Sequence, residues 1–113
     1  MSFKMRVRKK DDIQILEITG DITGNNIGKI STKLDALRKE NCPVIAIDLS
    51  QTTFIDSHGL GVFVYCWRVL EQENRQLVFL SPQNFIKSMF TGTNLDKIFR
   101  IVDTEEQLGE GIA

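Results

Sequence analysis

Asp56-Ser57-His58, followed by Gly59-Leu60-Gly61, is the stretch of this sequence whose residue types come nearest to chemistry. Nucleophilic catalysis is the first test. An activated serine on a strand-to-helix elbow needs G-x-S-x-G, and in Ile55-Asp56-Ser57-His58-Gly59 an isoleucine stands where the first glycine belongs. The only possible base is His58, the single histidine of the chain. It is the immediate neighbour of Ser57, and adjacent residues at a helix start do not face each other, so no Ser-His-Asp triad can be assembled. Phosphate cradles fail too. Gly24-Asn25-Asn26-Ile27-Gly28-Lys29-Ile30 carries a Gly-Lys pair, but a P-loop needs glycine at Thr23 and a hydroxyl residue at Ile30. Gly59-Leu60-Gly61 meets Val64 where a dinucleotide fingerprint has its third glycine. Cys42 and Cys66 are too far apart for a CxxC pair, and with one histidine they make no typical zinc site. The expectation is a protein that is not an enzyme and has neither metal nor cofactor. A hydroxyl at a helix start remains: Ser57 is expected at the N-cap, its oxygen accepting a bond from an unpaired backbone N–H.

The elements that would position Ser57 follow from periodicity. Met5–Arg8 and Ile13–Thr19 alternate apolar and polar around Lys9-Lys10-Asp11-Asp12, which predicts two antiparallel strands, the second ended by Gly20. Ile27, Ile30, Leu34 and Leu37 recur at helical spacing, so residues 25–40 read as an amphipathic helix capped by Thr23 or Asn25. Pro43 stops it. Val44–Leu49 is β-branched and apolar but for Asp48, as in a strand covered on both faces. A loop, Ser50–Asp56, leads to a helix over Ser57–Glu73. Gln76–Leu80 is a buried strand, Asn84–Phe90 a short helix, and Ile98–Val102 the last strand. Thr104–Leu108 opens a terminal helix with Glu105 and Glu106 in its first turn. The order β-β-α-β-α-β-α-β-α predicts one α/β domain over residues 1–113, a single mostly parallel sheet with helices whose first strand is an antiparallel edge.

Composition narrows the class. The 113 residues are 42% hydrophobic and 26% charged, with two prolines, which suits one soluble globular domain. Fourteen basic against fifteen acidic residues argue against electrostatic binding of nucleic acid. The charge is uneven: Lys4, Arg6, Arg8, Lys9 and Lys10 precede the first acid, and nine basic against fifteen acidic residues remain beyond them. Such a basic run reads as the solvated face of an edge strand. The opening Met-Ser-Phe-Lys-Met-Arg has no apolar run of the signal-peptide kind, and no stretch approaches the ~20 apolar residues of a membrane span. A cytoplasmic protein with reduced cysteines is expected.

Three segments carry a more specific likeness. Asp48-Leu49-Ser50, three positions on Phe54-Ile55-Asp56-Ser57, and then Gly59-Leu60-Gly61 resemble the signature of the STAS family, which joins sulfate transporters with anti-sigma factor antagonists. Gly20-Asp21-Ile22 is similar to that family's turn after the second strand, and Asn94-Leu95-Asp96-Lys97-Ile98-Phe99 to its segment near the end. The resemblance implies a switch. In the antagonist branch the serine matching Ser57 is phosphorylated by a partner serine kinase that is also the anti-sigma factor. The unmodified antagonist binds that kinase and frees the sigma factor, and a separate phosphoserine phosphatase resets it. Asp21, Asp56, His58 and Gly59 would surround the phosphosite, with His58 a departure from the small or hydroxyl residue common there. A phosphate at a helix start meets unpaired N–H groups and the positive end of the dipole, so the fold should tolerate it. It adds roughly −1.5 to −2 of charge beside Asp56 and Asp21, against which a docked partner would be repelled.

The helix after Ser57 offers a face for that partner. Leu60, Phe63, Val64, Trp67 and Leu70 form one stripe, expected to face the core. Val62, Tyr65, Cys66 and Val69 extend the apolar arc, either buried under another helix or, for Val62, Tyr65 and Val69, exposed as a partner-binding patch that could equally serve a homodimer. The rival within the family is a permanent STAS subunit of a stressosome or a phospholipid-transport complex. Outside it, a receiver domain is similar in size, but Thr19-Gly20-Asp21 lacks the acidic pair that would hold Mg²⁺ there.

Overall fold

The computed structural model describes residues 2–109, and they fold as the alternation requires, with one strand the periodicity did not show. A hairpin comes first: β1 (Lys4–Lys10) runs antiparallel to β2 (Ile13–Ile22). The strands close on Asp11-Asp12, with Asp11 at φ 55, so β1 takes in Lys9 and Lys10, expected in the turn. α1 (Ile27–Arg38) follows, then β3 (Val44–Asp48), β4 (Thr52–Ile55), α2 (Ser57–Gln72), β5 (Gln76–Leu80), α3 (Asn84–Gly92) and β6 (Arg100–Val102). The sheet order is β1-β2-β3-β5-β6, parallel from β2 onward, and β4 pairs with β2.

Several boundaries differ from expectation for physical reasons. Gly20 does not end β2. It takes φ 96, a left-handed conformation that favours glycine, and the strand shifts register there. Before the shift β2 pairs with β3 as far as Glu17↔Asp48; after it, Asp21 and Ile22 pair with Phe54 and Ile55. The predicted loop Ser50–Asp56 therefore contains β4, four residues rich in β-branched side chains that need only the far end of β2 as a partner. The N-cap of α1 is Asn26, not Thr23 or Asn25, and its side chain makes no cap bond. Instead Asn26 accepts from the Thr23 N–H at 3.0 Å and donates to the Asp21 carbonyl at 2.7 Å, bracing the β2–α1 loop. The expected terminal α-helix is a 3₁₀ helix, Glu105–Gly109, and a 3₁₀ turn at Leu95–Lys97 shortens the last strand.

The core has two sides. Leu16, Ile18, Ile45, Ile47, Leu77 and Phe79 face α1, α2 and α3, while Ile15, Val44, Ala46, Val78 and Leu80 lie on the opposite face under Leu108 of the terminal 3₁₀ helix. β3 is thus covered on both faces, as its apolar run implied. Phe79 anchors the helix side, its ring 5.1 Å from Phe63, 5.2 Å from Phe90 and 4.6 Å from Phe99.

Candidate functional site

The site lies at the carboxyl ends of β2 and β4, where both strands hand the chain to helices. β4 ends at Ile55, and the next residue begins α2 with its side chain. Asp56, in extended backbone, is the N-cap: its Oδ1 accepts from the Gly59 N–H at 3.1 Å. Its Oδ2 accepts from the Gly24 N–H at 3.0 Å, and the Asp56 N–H donates to the Ile22 carbonyl at 2.9 Å. One residue therefore ties the start of α2 to the end of β2 and to the loop after it. Desolvation pushes the Asp56 carboxyl up, but the N–H groups of Gly59 and Gly24 and the neighbouring His58 outweigh it and hold the carboxyl below its ordinary range.

This corrects the expected role of Ser57. It is the first helical residue rather than the cap, because Asp56 already satisfies the N–H a capping serine would take. Ser57 is exposed, and its hydroxyl has no hydrogen-bond partner among the described residues. The N–H groups of Ser57 and His58, which cannot be satisfied within the helix, have none there either.

The other predicted residues gather unequally. His58, 69% exposed, sets Nδ1 3.4 Å from Asp56 Oδ2 and lies over Gly24, where a Cβ would come within 3.3 Å of the ring. Gly59 is buried because nothing larger fits: a Cβ there would lie 2.7 Å from Ile22 Cγ2 and 2.8 Å from Ile55 Cγ2. Asp21 is exposed at the end of β2, where its Oδ1 accepts from Thr53 Oγ1 at 2.5 Å. Thr53 and Gly24 escaped the sequence reading because each bond spans 32 positions, and only the register of β4 on β2 creates them. Phe54 was also missed as a surface residue: it pairs with Asp21 and leaves 43% of its area exposed.

The core stripe of α2 is Gly59, Phe63, Cys66 and Leu70, not the expected Leu60-Phe63-Val64-Trp67-Leu70. Leu60, Val64 and Trp67 are half-buried on one flank. On the other flank, against α1, Val62 and Val69 are half-buried and Tyr65 is 64% exposed. With Ser31, Asp35 and Arg38 of α1 they line a shallow groove whose floor is Leu34 and Cys66. Burial pushes the Cys66 thiol up to about 11, so it stays protonated and inert at neutral pH. Among the described residues no helix is long and apolar enough to cross a membrane.

Known proteins share this fold. The STAS domain family model matches residues 4–108. The anti-sigma-B factor antagonist of Listeria monocytogenes is 29% identical over 108 residues, spanning 96% of this chain and 94% of its own. Among solved structures, a putative anti-sigma factor antagonist from Thermotoga maritima superposes with a TM-score of 0.86 at 26% identity, over 94% of this chain and 92% of that one. The Bacillus cell fate determinant SpoIIAA, solved in its phosphorylated form, shares the fold with a TM-score of 0.70 at 19% identity over 95% and 96%. The chain belongs to the STAS domain family.

Proposed function

We propose that this protein is an anti-sigma factor antagonist whose affinity for an anti-sigma factor serine kinase is switched by phosphate on Ser57. The observation that carries the reading is the division of labour at the start of α2. Asp56 caps the helix, so the exposed Ser57 hydroxyl holds no structural bond and can be modified without a loss to the fold. The unpaired N–H groups of the first turn and the helix dipole tolerate the dianion. The relatives named as antagonists of anti-sigma-B factor support the choice of partner.

The switch is electrostatic. Asp21 and Asp56 sit at the ends of neighbouring strands, so phosphate adds charge to a surface that is already anionic. A kinase surface seated on the unmodified Ser57 and on Val62, Tyr65 and Val69 then meets repulsion and the cost of desolvating the phosphate. A penalty of about 3 kcal/mol weakens binding on the order of 100-fold. A phosphoserine phosphatase restores the binding form.

The test is intact-mass analysis with peptide mapping of protein from its native cells, joined to binding by the purified kinase. One phosphate on Ser57 is expected, with Ser57→Ala unmodifiable but still bound and Ser57→Asp weakened. Phosphate on another residue with Ser57 untouched would overturn the mechanism. Absence of phosphate in every growth condition, with copurification of scaffold or transporter subunits, would assign a permanent subunit instead.

A further inference from the structure

A second surface lies away from Ser57, along the free edge of the sheet. Among the described residues β1 pairs only with β2, so its other edge carries backbone groups with no partner there. The hairpin closes with the Lys10–Ile13 pair around two turn residues, and the alternation of an antiparallel ladder then aims the N–H and C=O of Met5, Val7 and Lys9 away from β2. The same three residues point their side chains to the helix side of the sheet. Met5 packs against the core there, and Val7 is 38% exposed. Between this edge and α1 runs a shallow, mainly apolar trough of about 470 Å³, lined by Met5, Gly28, Lys29, Thr32, Lys33 and Ala36.

Charge selects what could fill it. Lys29 and Lys33 stand one helical turn apart, a spacing at which like charges repel, and neither ammonium group has a hydrogen bond or ion pair among the described residues. The ammonium groups of Lys4 and Lys9 on β1 are likewise unpaired among the described residues. A second copy of this chain is a poor occupant, because edge-to-edge pairing would set one cationic strand against another. We propose that the β1 edge and the exposed face of α1 receive an extended acidic segment of a protein partner, added to the sheet as a further strand. Its backbone would bond to Met5, Val7 and Lys9, and its carboxylates would meet Lys29 and Lys33.

This docking does not depend on the reading of Ser57, and the experiment keeps the two apart. The probe is a ten-residue peptide of alternating glutamate and valine, blocked at both ends, titrated into the ¹⁵N-labelled full chain. Amide shifts are expected at Met5, Val7, Lys9, Lys29 and Lys33, and equally in Ser57→Asp. Lys29→Glu with Lys33→Glu should weaken binding about tenfold, given two lost surface charge pairs, and leave the melting curve nearly unchanged. Val7→Pro removes an outward N–H and should abolish binding without breaking the β1–β2 ladder. Three results would overturn the proposal: no shifts at about 1 mM peptide, equal binding of a lysine–valine peptide, or capture by anionic phosphatidylserine vesicles with no response to the acidic peptide.

Discussion

Asp56 accepts a hydrogen bond from the Gly24 N–H at 3.0 Å, across 32 positions of chain, with the same carboxylate that caps α2. The loop after β2 and the first turn of α2 are thereby one unit, and Ser57 is presented from its surface. Asp56→Ala should lower the melting temperature by several degrees, since two N–H groups lose their acceptor at once. Asp56→Asn should cost less, because the amide oxygen still accepts one of the two bonds. The discriminating readout is hydrogen exchange. Gly24 and Gly59 amides should both lose protection in Asp56→Ala, whereas exchange confined to Gly59 would mean that the tether to the loop carries no weight.

The two glycines of Gly59-Leu60-Gly61 should respond to alanine with opposite sign. Either substitution gains about 0.5–1 kcal/mol of helix propensity. At Gly61 nothing lies within 4 Å of the added methyl, so the gain should appear in full as a higher melting temperature. At Gly59 the methyl would meet Ile22 and Ile55, both fully buried and β-branched, which cannot turn away. Overpacking of about 1–3 kcal/mol should outweigh the propensity, and Gly59→Ala should be the less stable protein in thermal melts.

Those glycines also mark how far the sequence could be read. β3 was legible because an unbroken apolar run marks a strand covered on both faces, and α1 because its apolar residues keep to one face. The stripe of α2 was not, because this helix is apolar nearly all round, and hydrophobicity alone could not choose between Gly59-Phe63-Cys66-Leu70 and Leu60-Val64-Trp67. The choice is made by Gly59, whose lack of a side chain lets α2 approach Ile22 and Ile55. β4 was illegible for another reason: four residues carry too short a pattern, and their partner exists only because β2 bends at Gly20. Ser57 stood out by type only as a hydroxyl at a helix start, and as a phosphosite by the resemblance to the STAS family; its freedom from capping needed the position of Asp56.

Acid should loosen the outer face of the hairpin. Glu17 accepts from Arg6 and Arg8, and Glu105 accepts from Arg8, so both carboxyls are held below their ordinary range despite some desolvation. Depressed values in the folded protein give stability that is complete above the unfolded value, about 4.3 for glutamate, and lost as pH falls through the folded one. The melting temperature should therefore hold from pH 7 to about 5 and decline below about 4. Glu17→Gln should cost roughly 0.5–1 kcal/mol at neutral pH and flatten the acid limb. An acid limb as steep as that of the unsubstituted protein would place the titrating groups elsewhere.

The groove between α1 and α2 separates docking from packing by one residue. Tyr65 is 64% exposed, so Tyr65→Asp removes little that the fold uses and should change stability by no more than about 0.5 kcal/mol. If the kinase seats on this face, an aromatic anchor beside half-buried Val62 and Val69 is where its binding energy would concentrate, and Tyr65→Asp should weaken the complex by about 10- to 100-fold. Val62→Asp and Val69→Asp should weaken binding as well, with melting curves nearly unchanged. Calorimetric titration of each variant against the purified kinase, run beside a thermal melt, checks both halves. Loss of the cooperative transition in either valine variant would show that α1 buries this flank more deeply than a docking face allows. Full affinity in Tyr65→Asp would move the kinase to the opposite flank of α2, where Leu60, Val64 and Trp67 form the other half-buried strip.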